Sequence, residues 1–252
     1  MIISKLKQLF KAIVSSTVNL NIHSSSFKNQ KLLAEQGDAE AQLNLGDMYS
    51  DGEGIAKDDR EAVKWYRLAA EQGNKIAQYS IGLMYAESEG VTEDNQEAVK
   101  WWRKAADQGF VPAQSNLGVM YAEGKGVTED SREAVKWYRL AAEQGAVEAQ
   151  SNLGCMYAMG KGVIEDNSEA IRWYRKAAEQ GYASAQVNLG LMYAQGEGVP
   201  EDYVQAYIWW NIAAASGHKD AQNGKENIRK RMTATQIAEA QSLSREWVVS
   251  HK

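Results

Sequence analysis

The chain has 252 residues and a net charge of −5; 44% of its residues are hydrophobic and 24% are charged, which excludes a wholly disordered protein. A single cysteine, Cys155, excludes an intramolecular disulfide and a cysteine-based zinc site. No apolar run approaches the ~18 residues that a membrane-spanning helix needs.

Residues 1–24 form an N-terminal segment for which three interpretations stay open. Its apolar residues share one arc of a helical wheel, with three lysines outside that arc: Ile2, Ile3, Leu6, Leu9, Phe10, Ile13 and Val14, against Lys5, Lys7 and Lys11. The segment is an amphipathic helix docked on the protein or partly disordered, a poor secretory signal, or, through residues 1–22, a helix on an anionic membrane surface. No clear signal peptide is present, so a cytoplasmic, periplasmic or secreted location stays open.

The rest of the chain repeats with a fixed period. Ala-Gln recurs from Ala41-Gln42 to Ala221-Gln222, and one tryptophan series runs from Trp65 to Trp209, each in steps of 36 residues. A period of this size indicates a repeat array and overrides a domain count based on length. Five full units fill 37–216: 37–72, 73–108, 109–144, 145–180 and 181–216.

Each unit predicts two helices. In the first helix of unit one, Ala41, Leu45 and Met48 make an apolar stripe, and Gly46 lies inside the helix, where it favours close approach of a neighbouring helix. A Gly-x-Gly loop follows and supplies positive φ. The second helix begins at an aspartate, Asp58 in unit one, with an acidic residue or glutamine three positions later, which is typical of a capping box.

These residues resemble a known family. The pattern A-x-x-x-L-G-x-M-Y-x-x-G-x-G-V-x-x-D-x-x-E-A-V-x-W-Y-x-x-A-A-x-Q-G is similar to the Sel1-like repeat, a relative of the tetratricopeptide repeat. The resemblance implies an all-α fold, a right-handed α-solenoid of stacked helix–turn–helix repeats with capping helices. It also implies a scaffold or adaptor that helps to assemble protein complexes.

The flanks of the array predict caps. Residues 25–36 read as a degenerate half repeat that ends in a second helix. Residues 217–252 begin like a first helix, but Lys225 and Glu226 replace the leucine and glycine of the pattern, as a capping helix requires. Thr233 and Gln236 predict a capping box that opens a final helix. The apolar side of that helix contains Ile237, Ala240, Ser244, Trp247 and Val248.

Charge and motifs favour a protein that neither catalyses a reaction nor binds nucleic acid. Residues 37–218 carry 16 basic and 28 acidic side chains, a net −12, which argues against binding to a phosphate backbone. Cys155 occupies an ordinary apolar position with no histidine near it in sequence. The tryptophan series at helical spacing is typical of a core. We therefore expect no enzyme activity, no cofactor, no metal and no nucleic-acid partner, and we expect a monomer.

The candidate binding residues lie on the side of the first helices that faces away from the predicted core stripe. In related helical repeats this side lines the concave surface. We call it the first-helix face, and its central residues are Tyr79, Leu83, Ser115, Val119, Ser151, Cys155, Val187 and Leu191. Leu43 is assigned to the same face in the first unit. The face is largely apolar, so it is either a groove for a partner peptide or helix, or a surface that adjacent repeats bury.

The sequence therefore predicts a scaffold that binds a partner protein or peptide on the first-helix face. Two alternatives stay open. One is a periplasmic cell-wall-related binder or hydrolase like the cysteine-rich branch of the family, although the paired cysteines of that branch are missing. The other is a secreted, host-directed effector.

Overall fold

The computed structural model describes residues 27–52 and 54–250, and the regular secondary structure of this part of the chain is entirely α-helical. Residues 27–35 form the helical segment α1. The helices that follow are α2 (Ala39–Asp51), α3 (Asp59–Glu71), α4 (Lys75–Glu87), α5 (Asn95–Asp107), α6 (Val111–Glu123), α7 (Ser131–Glu143), α8 (Val147–Met159), α9 (Asn167–Glu179), α10 (Ala183–Gln195), α11 (Tyr203–Ala215), α12 (Lys219–Arg229) and α13 (Ala234–Ser250).

The helices alternate as the sequence predicts: α2 to α11 supply a first and a second helix to each of five repeats. The chain divides into two compact units. Unit 1 contains the described residues up to Ala113 together with Lys125–Thr128, and unit 2 contains Gln114–Gly124 and the described residues from Glu129 on. Within unit 1, consecutive helices pack from α2 to α5, and within unit 2 they pack from α7 to α12, with α13 on α11. The all-α fold of stacked helical repeats is thus confirmed.

A glycine inside each first helix allows an aromatic ring of the second helix to lie against its backbone. In the fourth repeat, a Cβ added to Gly154 would lie 2.8 Å from Cδ1 of Tyr174, closer than carbon atoms approach. The same contact joins Gly46 to Tyr66, where the distance would be 2.5 Å. The predicted close approach is therefore confirmed, and its partner is the other helix of the same repeat. The corresponding pairs elsewhere are Gly82–Trp102, Gly118–Tyr138 and Gly190–Trp210.

A buried glutamine network also holds consecutive helices together. In the fourth repeat, the Gln150 side chain donates to the Ala142 carbonyl oxygen at 3.1 Å, and its Oε1 accepts from Gln180 Nε2 at 2.8 Å. Both polar ends of a buried amide are then satisfied, which removes the cost of burying it. The pattern repeats in unit 1, where Gln78 donates to the Ala70 carbonyl at 3.0 Å.

Each second helix begins at the predicted aspartate, whose side chain accepts hydrogen bonds from the first-turn backbone N–H groups: Asp58, Asp94, Asp130, Asp166 and Asp202. The loop glycines have positive φ, as predicted. The second of them is also a packing site. A Cβ on Gly162 would lie 2.2 Å from the Ser131 carbonyl oxygen, so this glycine brings the loop against the preceding second helix.

The predicted core and caps are present in the described residues. Four tryptophans of the series are buried and Trp65 is half-buried: Trp101, Trp137, Trp173 and Trp209. At the N-terminal side, α1 contributes buried Ala34 to the cluster around Leu45. At the C-terminal side, Thr233 and Gln236 form the predicted capping box, in which Thr233 N donates to Gln236 Oε1 at 2.9 Å.

The predictions for residues 1–24, including membrane contact by 1–22, lie outside the described residues. Within the described part, none of the helices combines the length and the hydropathy that crossing a bilayer requires.

We predict that the Gly154→Ala substitution destabilises the protein by about 1–2 kcal/mol, although alanine is the better helix former by ~1 kcal/mol. The reason is that the new methyl group must displace the Tyr174 ring from the helix backbone. Urea unfolding followed by circular dichroism measures the change. In a Tyr174→Ala background the ring is gone, so Gly154→Ala should become neutral or stabilising. Destabilisation of equal size in both backgrounds would contradict the ring contact.

The glutamine network ends in the fifth repeat, which generates a second prediction. Serine, Ser216, occupies the position that Gln180 holds one repeat earlier. No donor in the described part of the chain reaches Oε1 of Gln186, which is 1% exposed. A Ser216→Gln substitution restores that donor, and we expect it to raise the free energy of unfolding by about 1 kcal/mol. Ser216→Ala is the control and gains nothing. A gain that persists in a Gln186→Met background would refute the pairing.

Candidate interaction surface

The predicted first-helix face has two residues in unit 1, both on α4. Tyr79 is half-buried; its ring meets Phe110 edge-on at a centroid distance of 5.3 Å. Its backbone carbonyl accepts a hydrogen bond from Trp102 Nε1 at 3.1 Å. Leu83, one turn later, is also half-buried. These two side chains are therefore partly accessible, and the Tyr79 ring is held by aromatic packing.

The other six residues of the first-helix face lie in unit 2, on α6, α8 and α10. Four of them are half-buried: Ser115, Val119, Cys155 and Val187. Leu191 differs from these, because 45% of its surface is exposed. It is the most exposed apolar residue among the eight predicted positions.

Two first-helix residues do not lie on an accessible surface. Ser151 is only 6% exposed, so it cannot contact a partner in this structure. Leu43, at the same repeat position in the first unit, is 3% exposed and belongs to the core cluster that also contains Ile81 and Trp101 of the next repeat. At Leu43 the second interpretation of this face applies, because the stacked neighbour covers this side of the helix.

A pocket of about 440 Å³ opens between α10 and α12 in unit 2. It includes two predicted residues, Val187 and Leu191, which form its α10 wall together with Ala194 and Gln195. The opposite wall is Ile228 of α12, and Trp210 of α11 lies between the two walls. The structure thus brings part of the first-helix face together with residues that the sequence interpretation did not select.

The indole of Trp210 is 7% exposed, and its ring lies between Gly190 and Gly224. Its Nε1 donates to the Val187 carbonyl oxygen at 3.1 Å, so the hydrogen-bonding capacity of the ring is used within the protein. On its other side, Gly224 of α12 lies flat against the ring, since an added Cβ would be 2.7 Å from Cδ2 of Trp210. The resulting surface suits an apolar group.

Charged side chains border the pocket. Asp220 lies in the first turn of α12, and Arg231 lies two residues after the last residue of that helix. The Arg231 guanidinium lies over the Tyr203 ring at 4.3 Å and forms an ion pair with Glu201 at 3.8 Å. It nevertheless remains 59% exposed, so it can still contact a partner.

The signal for this additional wall was present in the sequence but ambiguous. Gly224 stands where four of the earlier repeats carry asparagine, and Lys225 and Glu226 break the pattern next to it. Those departures predicted a cap. The pocket that they also leave becomes visible only in the packing of α12 against Trp210.

Cys155 lies among side chains of its own repeat. The Cys155 sulfur lies 3.8 Å from the Met159 sulfur, and the Tyr174 hydroxyl is nearby. Burial raises the pKa of Tyr174, and the neighbouring thiol adds to that effect, so the hydroxyl is neutral at physiological pH. Across residues 27–52 and 54–250, His, Cys, Asp and Glu side chains do not group in a way that would hold a metal ion.

Stacked two-helix units with an accessible first-helix surface define a helical repeat protein of the kind that presents a surface to partners. The Sel1 repeat family model matches residues 39–74, 75–110, 111–145, 147–182 and 183–218, so the chain belongs to the Sel1 repeat family. Members of this family generally act as non-catalytic protein-interaction scaffolds.

Two solved structures are similar to this chain. A Sel1 repeat protein from Oxalobacter formigenes is 35% identical, with a TM-score of 0.71 and coverage of 86% of each chain. The protein c5321, a protective antigen present in uropathogenic Escherichia coli strains and displaying an SLR fold, is 33% identical with a TM-score of 0.58. That alignment covers 91% of this chain but 57% of c5321, so this chain spans a little over half its length. Comparison with curated proteins finds no match.

Glutamate substitutions separate the accessible from the buried part of the first-helix face. We expect Leu191→Glu to change the free energy of unfolding by less than about 1 kcal/mol, because the new carboxylate remains in water. Ser151→Glu should destabilise the protein by more than about 3 kcal/mol, because it places a charge in a buried position. Thermal unfolding of both variants measures the difference, and equal losses would contradict the assigned exposures.

Proposed function

We propose that this chain is a non-catalytic interaction scaffold that binds a partner protein or peptide through its first-helix face. The observation that carries the proposal is the apolar pocket that Val187, Leu191, Trp210 and Ile228 line in unit 2. A rigid repeat surface offers such contacts with little ordering of its own chain on binding, which favours affinity.

The exposure of Leu191 supports this assignment. A single exposed leucine is ordinary on a protein surface, but Leu191 borders a concave pocket with an aromatic floor. Apolar surface of this kind gains about 25 cal/mol for each Å² that a partner covers. Val187 lies on the same helix as Leu191, and half-buried Val119 adds an apolar side chain on another first helix of unit 2, α6. In unit 1, Leu83 on α4 is also apolar and half-buried.

The non-catalytic part of the proposal is supported by the roles that the reactive side chains already have. The aspartates at the second-helix N-termini accept backbone hydrogen bonds, and Tyr66 donates to Asp47 at 2.8 Å. Arg139 donates to the hydroxyl of Tyr157 at 2.6 Å and so joins two helices of unit 2. These side chains stabilise the repeats, and the pocket walls themselves are mainly aliphatic and aromatic.

The test compares two exposed leucines of unit 2 on different kinds of helix. Leu191 lies on the first helix α10 and is 45% exposed, whereas Leu140 lies on the second helix α7 and is 38% exposed. Affinity capture from the native cell uses the full chain and the variants Leu191→Glu and Leu140→Glu, with quantitative mass spectrometry. Each recovered partner is then purified and titrated against the same three proteins.

We expect Leu191→Glu to weaken binding of the purified partner at least tenfold, while Leu140→Glu binds like the wild type. Circular dichroism and thermal unfolding establish that both variants are folded. Equal loss of binding in both variants, or unchanged binding by Leu191→Glu, would overturn the assignment of the first-helix face. Turnover of a substrate by the purified chain would overturn the non-catalytic part.

A further inference from the structure

We propose that the pocket between α10 and α12 receives one amphipathic helix of a partner protein. The apolar ridge of that helix fills the pocket, with a basic side chain at one end facing Asp220 and an acidic side chain at the other facing Arg231. This inference rests on the proposed function and names the chemistry of the partner at this site.

The walls and floor of the pocket select an apolar ridge. Its volume of about 440 Å³ lies within the range of ~300–1,000 Å³ that is usual for ligand pockets. The Trp210 N–H is already bonded to the Val187 carbonyl, so the floor has no free donor for a polar group. Leu191 and Ala194 supply the accessible aliphatic surface of the pocket, and Ile228 and Trp210, which are 4% and 7% exposed, lie at its base. Gln195 and Asn227 add exposed amide groups to the lining.

The backbone around the pocket favours a helix over an extended segment. An extended peptide needs partners for its own N–H and C=O groups, and it usually obtains them from an exposed strand edge. The pocket is flanked by α10 and α12, whose backbone groups are bonded within the helices, and its lining offers only two amide side chains, Gln195 and Asn227, to a peptide backbone. A helix brings its own backbone hydrogen bonds, and its i, i+3 and i+4 side chains form a ridge that fits the valley between two helices.

Charge complementarity determines the ends of the bound helix. Asp220 and Arg231 line the same pocket from opposite ends of α12, which has 11 residues and is therefore about 16 Å long. A partner helix of three turns spans that distance. The contacts of Arg231 with Tyr203 and Glu201 hold its guanidinium in place, while its exposure leaves donors for a carboxylate.

The test uses synthetic helical peptides with one common apolar ridge and different charges at the two ends. Two of the four peptides carry a lysine at one end and a glutamate at the other, in opposite orders. The third peptide carries lysine at both ends, and the fourth carries glutamate at both ends. Fluorescence anisotropy at low salt measures their binding to the full chain. We expect one mixed-charge peptide to bind roughly 2- to 5-fold more tightly than either like-charged peptide, the effect typical of an exposed ion pair.

Charge-reversal variants give the decisive comparison. Arg231→Glu makes both ends of the pocket negative, so the preference should move to the lysine–lysine peptide. Asp220→Lys makes both ends positive, so it should move to the glutamate–glutamate peptide. Leu191→Glu should abolish binding of all four peptides, which places them in the pocket, and Leu140→Glu should change none of the affinities.

The outcomes distinguish this inference from the proposed function. Unchanged peptide preferences in both charge-reversal variants would overturn the assignment of Asp220 and Arg231. Peptide binding that survives Leu191→Glu would overturn the pocket as the binding site. Absence of binding by every peptide, while Leu191→Glu still loses the natural partner, would overturn the helical occupant and leave the proposed function standing.

Discussion

The contact between a helix glycine and an aromatic ring determines the geometry of every repeat. Because the ring lies directly on the backbone of the first helix, the separation of the two helices has little freedom to vary. The contact also explains why glycine persists in the middle of a helix, where it costs about 1 kcal/mol relative to alanine. The helix loses intrinsic stability, and the repeat gains a close contact between its helices.

Whether the ring is tryptophan or tyrosine changes the group on the first helix to which the ring is hydrogen-bonded. Where the ring is tryptophan, its indole N–H bonds to a backbone carbonyl, that of Tyr79 or of Val187. Where the ring is tyrosine, the hydroxyl can use the side chain that follows the glycine, as Tyr66 does with Asp47. In the tryptophan repeats the equivalent positions are Leu83 and Leu191, which need not supply a polar partner. Apolar residues at this position of the first-helix face occur with either ring, since Val119 follows Gly118, which packs against Tyr138.

The period of the sequence was sufficient to predict the helices, the caps, the loop glycines and the glycine–helix approach. It assigns each residue an angle on its own helix, which was enough to place Trp173 in the core and Asp166 at a helix start. The period does not show which neighbouring helix covers the side chain at a given angle. Ser151 and Leu43 point away from the stripe of their own helices, yet the surrounding packing buries them. Leu191 is exposed, whereas the residues at its own repeat position in earlier repeats are half-buried: Leu83, Val119 and Cys155.

That difference follows from how a repeat array ends. An internal first helix is followed by another with the same apolar residues, but α10 is followed by α12, in which only Ala221 and Ile228 are buried. A terminal helix must present polar side chains to water, because no further repeat covers it. The same polar residues, Lys225 and Glu226, cannot extend the apolar packing over α10. The departure of α12 from the repeat pattern therefore leaves Leu191 beside a pocket that α12 does not fill.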